Sequence, residues 1–187
     1  MFKIVEFSHL IIKEYINNSN LSFIRCLDAT CGMGNDTIYL ANLLKEKGSV
    51  DSYDIQEIAI NATKEKLLDL NINNVTLYHK SHEYIDASLY DLAIFNLGYL
   101  PNTDKSITTK KETSMIAIEK LVSEIDNNPN LLIIICLYPG HKEGKVESDF
   151  IDNYAINLSS KKYLVTKYLN YNRAASPYII TISKTKL

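Results

Sequence analysis

The chain has 187 residues, of which 46% are hydrophobic and 22% charged, with a formal net charge of −2. That length supports one domain with a full core, and a pI of about 6.1 argues against a protein that grips nucleic acid by bulk charge. No apolar run approaches the ~18 residues of a membrane span, and Glu6 falls where a signal peptide has its apolar core, so a cytoplasmic protein is expected.

Phe7, Leu10, Ile11 and Tyr15 recur at helical spacing and predict an N-terminal helix over 7–16. Residues 23–29 read as a first strand and 35–47 as a helix stopped by Gly48. A second strand is predicted over 49–55, a helix over 56–70 (Ile58, Ala62, Leu67, Leu70), a turn over 71–74 and a short strand over 75–78. Residues 92–95 form an apolar strand ending at Asn96, followed by a polar loop rich in Thr and Lys that contains Gly98 and Pro101. A helix is predicted over 112–127. Residues 131–137 are the most apolar run of the chain, short and flanked by Pro129 and Pro139, which predicts a central strand covered on both faces. A helix over 147–158 and strands over 163–171 and 177–182 complete the pattern.

Strand and helix alternate, which predicts right-handed crossovers and an open, mostly parallel α/β sheet. The link 172–176 is too short for a crossover helix, so the last two strands should be antiparallel. No linker or repeat interrupts the chain, and a single domain over 1–187 is expected.

Cys26, Cys31 and Cys136 are odd in number and lack a CxxC, so buried free thiols in a reducing compartment are expected. His9, His79, His82 and His141 lack ligand spacing, and no metal is expected. Three basic clusters (Lys105, Lys110 and Lys111; His141, Lys142 and Lys145; Lys161 and Lys162) read as solvated faces or as RNA contacts.

The most informative stretch is Asp28-Ala29-Thr30-Cys31-Gly32-Met33-Gly34-Asn35-Asp36-Thr37, between the first strand and its helix. Its glycines allow close backbone approach to a ligand, and the helix start offers unpaired N–H donors. In an open α/β sheet ligands bind beyond the carboxyl ends of the strands, where Asp54 could accept both hydroxyls of a ribose. A dinucleotide would want a third small residue where Thr37 stands, and its pyrophosphate would meet the charge of Asp36. An acid there suits a cationic sulfonium or α-ammonium group, which favours S-adenosylmethionine. The Gly pair alone is equally a plain tight turn; Asp54 and Asn96 at the next strand ends favour the ligand.

Asn96-Leu97-Gly98-Tyr99-Leu100-Pro101 is a second constellation. Methyl transfer to an amine needs a neutral nitrogen with its lone pair aimed at the methyl group. An Asn oxygen and a nearby carbonyl can accept the amine hydrogens, and Tyr99 offers a ring to a base. The stretch resembles the Asn/Asp-Pro-Pro-Tyr loop of amino-methyltransferases, with Leu97-Gly98 in place of the prolines; a strand-ending turn with a core tyrosine is the plainer reading. In Tyr138-Pro139-Gly140-His141-Lys142-Glu143-Gly144, His141 is a base, a substrate contact or a surface turn histidine. Ser81-His82-Glu83 lies against an adenine, or Ser81 caps a helix. His9 reads as packed or exposed.

Together these segments, with Asp54-Ile55-Gln56 and Thr108-Thr109, resemble the class I methyltransferase family long labelled "putative rRNA methylase". Members of that family are identified as tRNA 5-aminomethyl-(2-thio)uridine-34 methyltransferases. The resemblance runs from His9 to Lys184. Met33 replaces a usual Asn, Asn35 a usual His, and Ser176-Pro177 a common double proline. It implies a Rossmann-like, mostly parallel seven-stranded sheet with an antiparallel C-terminal strand and helices on both faces. It also implies S-adenosylmethionine as donor, S-adenosylhomocysteine as product, no metal, a homodimer, and a tRNA anticodon loop as partner. Asp28, Gly32, Gly34, Asn35, Asp36, Thr37, Asp54, Gln56, Ser81, His82, Asn96 and Gly98 would then hold the cofactor. Asn96, Tyr99 and His141 would carry the chemistry, and Tyr99, Pro101, Thr109, His141 and Lys142 would meet the RNA. The proton acceptor is left open among His141, Tyr99 and water. Alternatives are methyl transfer to ribosomal RNA or a small amine, or a non-catalytic nucleotide- or RNA-binding module.

Overall fold

The structure is a computed structural model that describes residues 3–98, 111–173 and 175–185; Tyr99, Leu100, Pro101, Lys105, Thr108, Thr109 and Lys110 lie outside them. Seven strands form one sheet: β1 (Ile24–Asp28), β2 (Gly48–Asp54), β3 (Val75–His79), β4 (Leu92–Leu97), β5 (Leu132–Leu137), β6 (Tyr163–Tyr168) and β7 (Tyr178–Lys184). The helices are α1 (Ile4–Asn18), α2 (Asn35–Leu44), α3 (Glu57–Asp69), α4 (Lys111–Glu124) and α5 (Lys142–Ile156).

The sheet order is β3-β2-β1-β4-β5-β7-β6. The chain starts at the middle, builds outward through β2 and β3, then returns to lay β4 on the other side of β1. All pairs from β3 to β5 are parallel, while β7 is antiparallel to both β5 and β6. The expected sheet, including its reversed C-terminal strand, is therefore borne out. The reversal between β1 and β4 opens a crevice at their carboxyl ends, where such sheets bind ligands.

β4 and β5 read as unbroken apolar runs because helices cover both of their faces. Successive side chains still alternate. Ala93, Phe95 and Leu97 join the core under α4 and α5, with Ile118, Leu121 and Ile151. Leu92 and Ile94 join the other core, with Ile12 of α1, Leu40 and Leu44 of α2, and Ile134 and Cys136 of β5. Period two thus puts Asn96 on the α1/α2 face, opposite Cys136 in register, and puts Tyr138 on that same face just past β5.

Element limits differ from expectation where capping decides them. α1 starts at Ile4 rather than near 7, because the Glu6 carboxylate accepts the Lys3 backbone N–H at 2.9 Å. The helix predicted over 35–47 ends at Leu44 and closes with a 3-10 turn, Lys45–Lys47. α5 starts at Lys142 rather than 147, since His141 caps it: its Nδ1 accepts the Gly144 N–H at 3.0 Å. β6 ends at Tyr168 rather than 171. The three cysteines are buried and free, as expected.

Candidate active site at the carboxyl edge of β1, β2 and β4

The first loop is drawn tight by its own backbone. The Cys31 N–H donates to the Tyr53 carbonyl (2.8 Å) and the Gly34 N–H to the Cys31 carbonyl (2.9 Å). Gly32 and Gly34 sit at φ +51° and +78°, a region L side chains avoid. A Cβ on Gly34 would also lie 2.7 Å from the Thr63 side chain of α3. Lys66 of α3 fastens the tip by donating to the Met33 carbonyl at 2.7 Å. The loop is thus pressed against α3, with Gly34 buried and Gly32 half-buried.

Asp28 and Thr37 are fully buried beneath this loop. The Asp28 carboxyl accepts the Thr37 hydroxyl at 2.6 Å and the Thr30 N–H at 3.1 Å, and the Ser52 hydroxyl lies 2.7 Å from that of Thr37. Burial, and then the charge of Asp36, push the Asp28 carboxyl up to about 7. Both residues support the loop from below.

Asp54 ends β2. One of its oxygens accepts the Gly32 N–H (2.8 Å) and the other the Gln56 N–H (2.9 Å). Each keeps a further acceptor position, which suits a pair of ribose hydroxyls. Ser81 accepts the Glu83 N–H at 3.4 Å and caps a short 3-10 helix, His82–Tyr84. His82 is buried, and its Nδ1 lies 2.9 Å from the Ala29 carbonyl. A carbonyl only accepts, so Nδ1 carries the proton and Nε2 is an acceptor, one without a partner among the described residues. Burial holds His82 below its ordinary range and keeps the ring neutral.

The centre of the site is Asn96. Its backbone N–H donates to the Thr30 hydroxyl at 2.8 Å, tying the end of β4 to the first loop. Its Nδ2 donates to the Asp36 carboxylate, and its Oδ1 accepts the Tyr138 hydroxyl at 3.0 Å. Burial holds the Tyr138 phenol well above its usual range, so it remains a donor. The other Asp36 oxygen lies 2.6 Å from His9 Nε2 of α1. Gly98 brings the chain past the Tyr138 ring, where a Cβ would sit 3.7 Å from it.

The structure therefore brings Asp28, Gly32, Gly34, Asp36, Thr37, Asp54, His82 and Asn96 together at the carboxyl ends of β1, β2 and β4, but Asp28 and Thr37, expected to hold the cofactor, are fully buried beneath the loop. Asn35 is exposed at the start of α2, and Gln56 immediately precedes α3. His141 caps α5 with a half-buried ring, and Lys142 is exposed beside it. Tyr99, Pro101 and Thr109 fall outside the described residues. Among the described residues no group of His, Cys, Asp and Glu could hold a metal, and no helix is long and apolar enough to cross a membrane. Sequence reasoning gave no role to Thr30, His9 or Tyr138. Only Tyr138 carried a signal, as the first polar group after the apolar strand.

A family model described as "Putative rRNA methylase" matches residues 50–184. The chain belongs to this family. It resembles a "putative rRNA-methylase" from Clostridium thermocellum at 34% identity and TM-score 0.86, covering 99% of each chain. A "putative methyltransferase" from Streptococcus mutans, solved in complex with SAH, is 29% identical with TM-score 0.81 over 99% of each chain. A chloroplastic tRNA (mnm(5)s(2)U34)-methyltransferase of Arabidopsis thaliana is 28% identical over 97% of this chain and 69% of its own length. The expected family and class I fold are borne out, and the chain is a methyltransferase.

Proposed function

We propose that the chain is an S-adenosylmethionine-dependent N-methyltransferase that converts 5-aminomethyl-(2-thio)uridine at tRNA position 34 to 5-methylaminomethyl-(2-thio)uridine. The similarity to the Arabidopsis thaliana tRNA (mnm(5)s(2)U34)-methyltransferase supports this substrate, and the SAH in the Streptococcus mutans protein supports this donor. The residues present fit the donor. The half-buried turn at Gly32 lets backbone approach it closely, Asp54 meets hydroxyls, and His82 Nε2, unpartnered among the described residues, accepts a hydrogen bond in a buried spot. When bound, S-adenosylmethionine supplies a methyl group on a positively charged sulfur. The Asp36 carboxylate favours that charge from across the crevice.

The observation that carries the reading is the fixed carboxamide of Asn96. A carbonyl oxygen has two acceptor positions, and Tyr138 fills one. The second is left to an N–H of the incoming amine. Accepting that N–H turns the nitrogen lone pair toward the methyl carbon, and holding the reactants in line is worth several kcal/mol of barrier, about 7 or more when alignment is complete. An alkyl amine titrates near 10, so it arrives protonated and sheds a proton before attack. Tyr138 keeps its own proton and orients, while the leaving proton passes to water or the RNA-facing groups. In this proposal the RNA lies over the carboxyl ends of β4 and β5, meeting Tyr99, Pro101, Thr109, His141 and Lys142, with a homodimer as the working assembly.

The test is methyl transfer by the purified chain to tRNA bearing 5-aminomethyl-2-thiouridine, read by nucleoside mass analysis. One methyl group on the position-34 nucleoside is expected. An unchanged nucleoside, with ribosomal RNA or a free amine methylated instead, would overturn the substrate.

A further inference from the structure

We propose that His9 is a positioning residue for methyl transfer, acting through Asp36 to fix which end of the Asn96 carboxamide faces the amine; this rests on the amine-orienting reading of Asn96. The two ends of a primary amide have nearly the same shape, so its partners decide which way it points. Ionised Asp36 can only accept, which commits Asn96 Nδ2 to it and leaves Oδ1 for Tyr138 and the substrate. An Asp36 carboxyl that lost the donor on its other oxygen would be free to swing away from Nδ2. The amide could then turn and present an N–H where the amine needs an acceptor.

Asp36 is a buried carboxyl whose two oxygens take different partners. It is only 8% exposed, so each oxygen depends on a protein donor. His9 Nε2, 2.6 Å from one Asp36 oxygen, supplies one such donor as an N–H and leaves the other oxygen to Asn96 Nδ2. The same N–H is present whether the imidazole is neutral or charged, provided Nε2 bears the proton.

The ring of His9 is itself held from two directions. It stacks on Tyr39 at 3.7 Å between centroids and 4° between planes, and the Tyr39 hydroxyl donates to the His9 carbonyl at 2.8 Å. Tyr39 lies one turn after Asp36 on α2, so the element that carries the carboxylate also grips the ring that serves it.

That grip allows a rival explanation, in which His9 merely clamps α1 to α2. Two substitutions separate the roles. His9→Phe keeps the stacking ring and removes the N–H. His9→Gln removes the ring and keeps an N–H near the place of Nε2. For the full chain, steady-state methylation of tRNA bearing 5-aminomethyl-2-thiouridine is measured with each variant. Expected for His9→Phe is a fall in kcat of about 10–100-fold, as for other groups that orient a reacting residue. KM for S-adenosylmethionine should stay within about twofold, and His9→Gln should keep kcat within about threefold of the parent.

A second readout needs no substrate. In a 1H–15N spectrum the Asn96 side-chain amide, identified by its loss in Asn96→Ala, should move in His9→Phe and stay near its place in His9→Gln. If His9→Phe does not fold, His9→Ala takes its place with the same expectation. Unchanged kcat and an unmoved amide in His9→Phe, or equal losses in Phe and Gln, would overturn the proposal. Asn96→Ala in the same assay separates the two levels. A fast Asn96→Ala sinks the reading of Asn96 itself, whereas a slow Asn96→Ala beside a fast His9→Phe sinks only the role of His9.

Discussion

The hydroxyl of Thr30 accepts the backbone N–H of Asn96 at 2.8 Å. This one bond ties the loop after β1 to the end of β4, and so sets the spacing between the two halves of the crevice. Thr30→Val keeps the shape and leaves that N–H without its partner, at a cost of about 1–3 kcal/mol. Urea unfolding should show the loss, and kcat should fall about tenfold as the carboxamide shifts, while Thr30→Ser should retain both.

Asp28 predicts a pH dependence of stability. Its folded carboxyl lies at about 7, above the ~3.9 of an exposed aspartate. The folded state therefore holds the proton more tightly. The contribution is complete below about pH 4 and is lost as pH rises through 7. Asp28→Asn keeps an acceptor for the Thr30 N–H and a donor toward Thr37, and removes the titration. Between pH 5 and pH 8 the parent should lose roughly 2 kcal/mol more than Asp28→Asn in urea unfolding. Parallel profiles would show that the carboxyl titrates normally.

Gly34→Ala forces a Cβ into a left-handed residue and within 2.7 Å of Thr63. The two effects together should destabilise by about 1–3 kcal/mol, read as a lower Tm. Adding Thr63→Ala should recover the steric part and leave the backbone part. Full recovery would mean that the positive φ costs nothing here.

Asp54→Asn replaces one of two oxygens that accept backbone N–H groups. The new amide N–H₂ faces one of these donors and can no longer accept a ribose hydroxyl. Calorimetry should show S-adenosylmethionine binding weakened about tenfold or more, a loss of about 1.4 kcal/mol. Unchanged affinity would remove Asp54 from the donor site.

The sheet was legible because its signals are local. Seven short strand patterns, Gly48 after a helical pattern and the short link before Pro177 each specify a neighbour nearby in sequence. The site was legible only as strand ends: Asp28, Asp54 and Asn96 stand where β1, β2 and β4 point. What those residues touch was hidden, since Asn96 meets Asp36 and Tyr138 from 60 and 42 positions away. Periodicity placed His9 on a helix and said nothing of which neighbour its ring would find. Gly144 shows the same limit. It fell outside the helix predicted over 147–158, yet it lies in the first turn of α5, where a Cβ would come within 2.3 Å of the Tyr138 carbonyl and 2.6 Å of the His141 ring. The helix therefore starts five residues before its apolar pattern does.

Single-turnover methyl transfer by Asn96→Ala, with donor-loaded protein and tRNA bearing 5-aminomethyl-2-thiouridine, tests the orienting role most directly. The expected result is a rate at least ~100-fold below the parent, about 2.7 kcal/mol of barrier, with the affinity for S-adenosylmethionine little changed. A rate within about twofold of the parent would show that the carboxamide does not aim the amine.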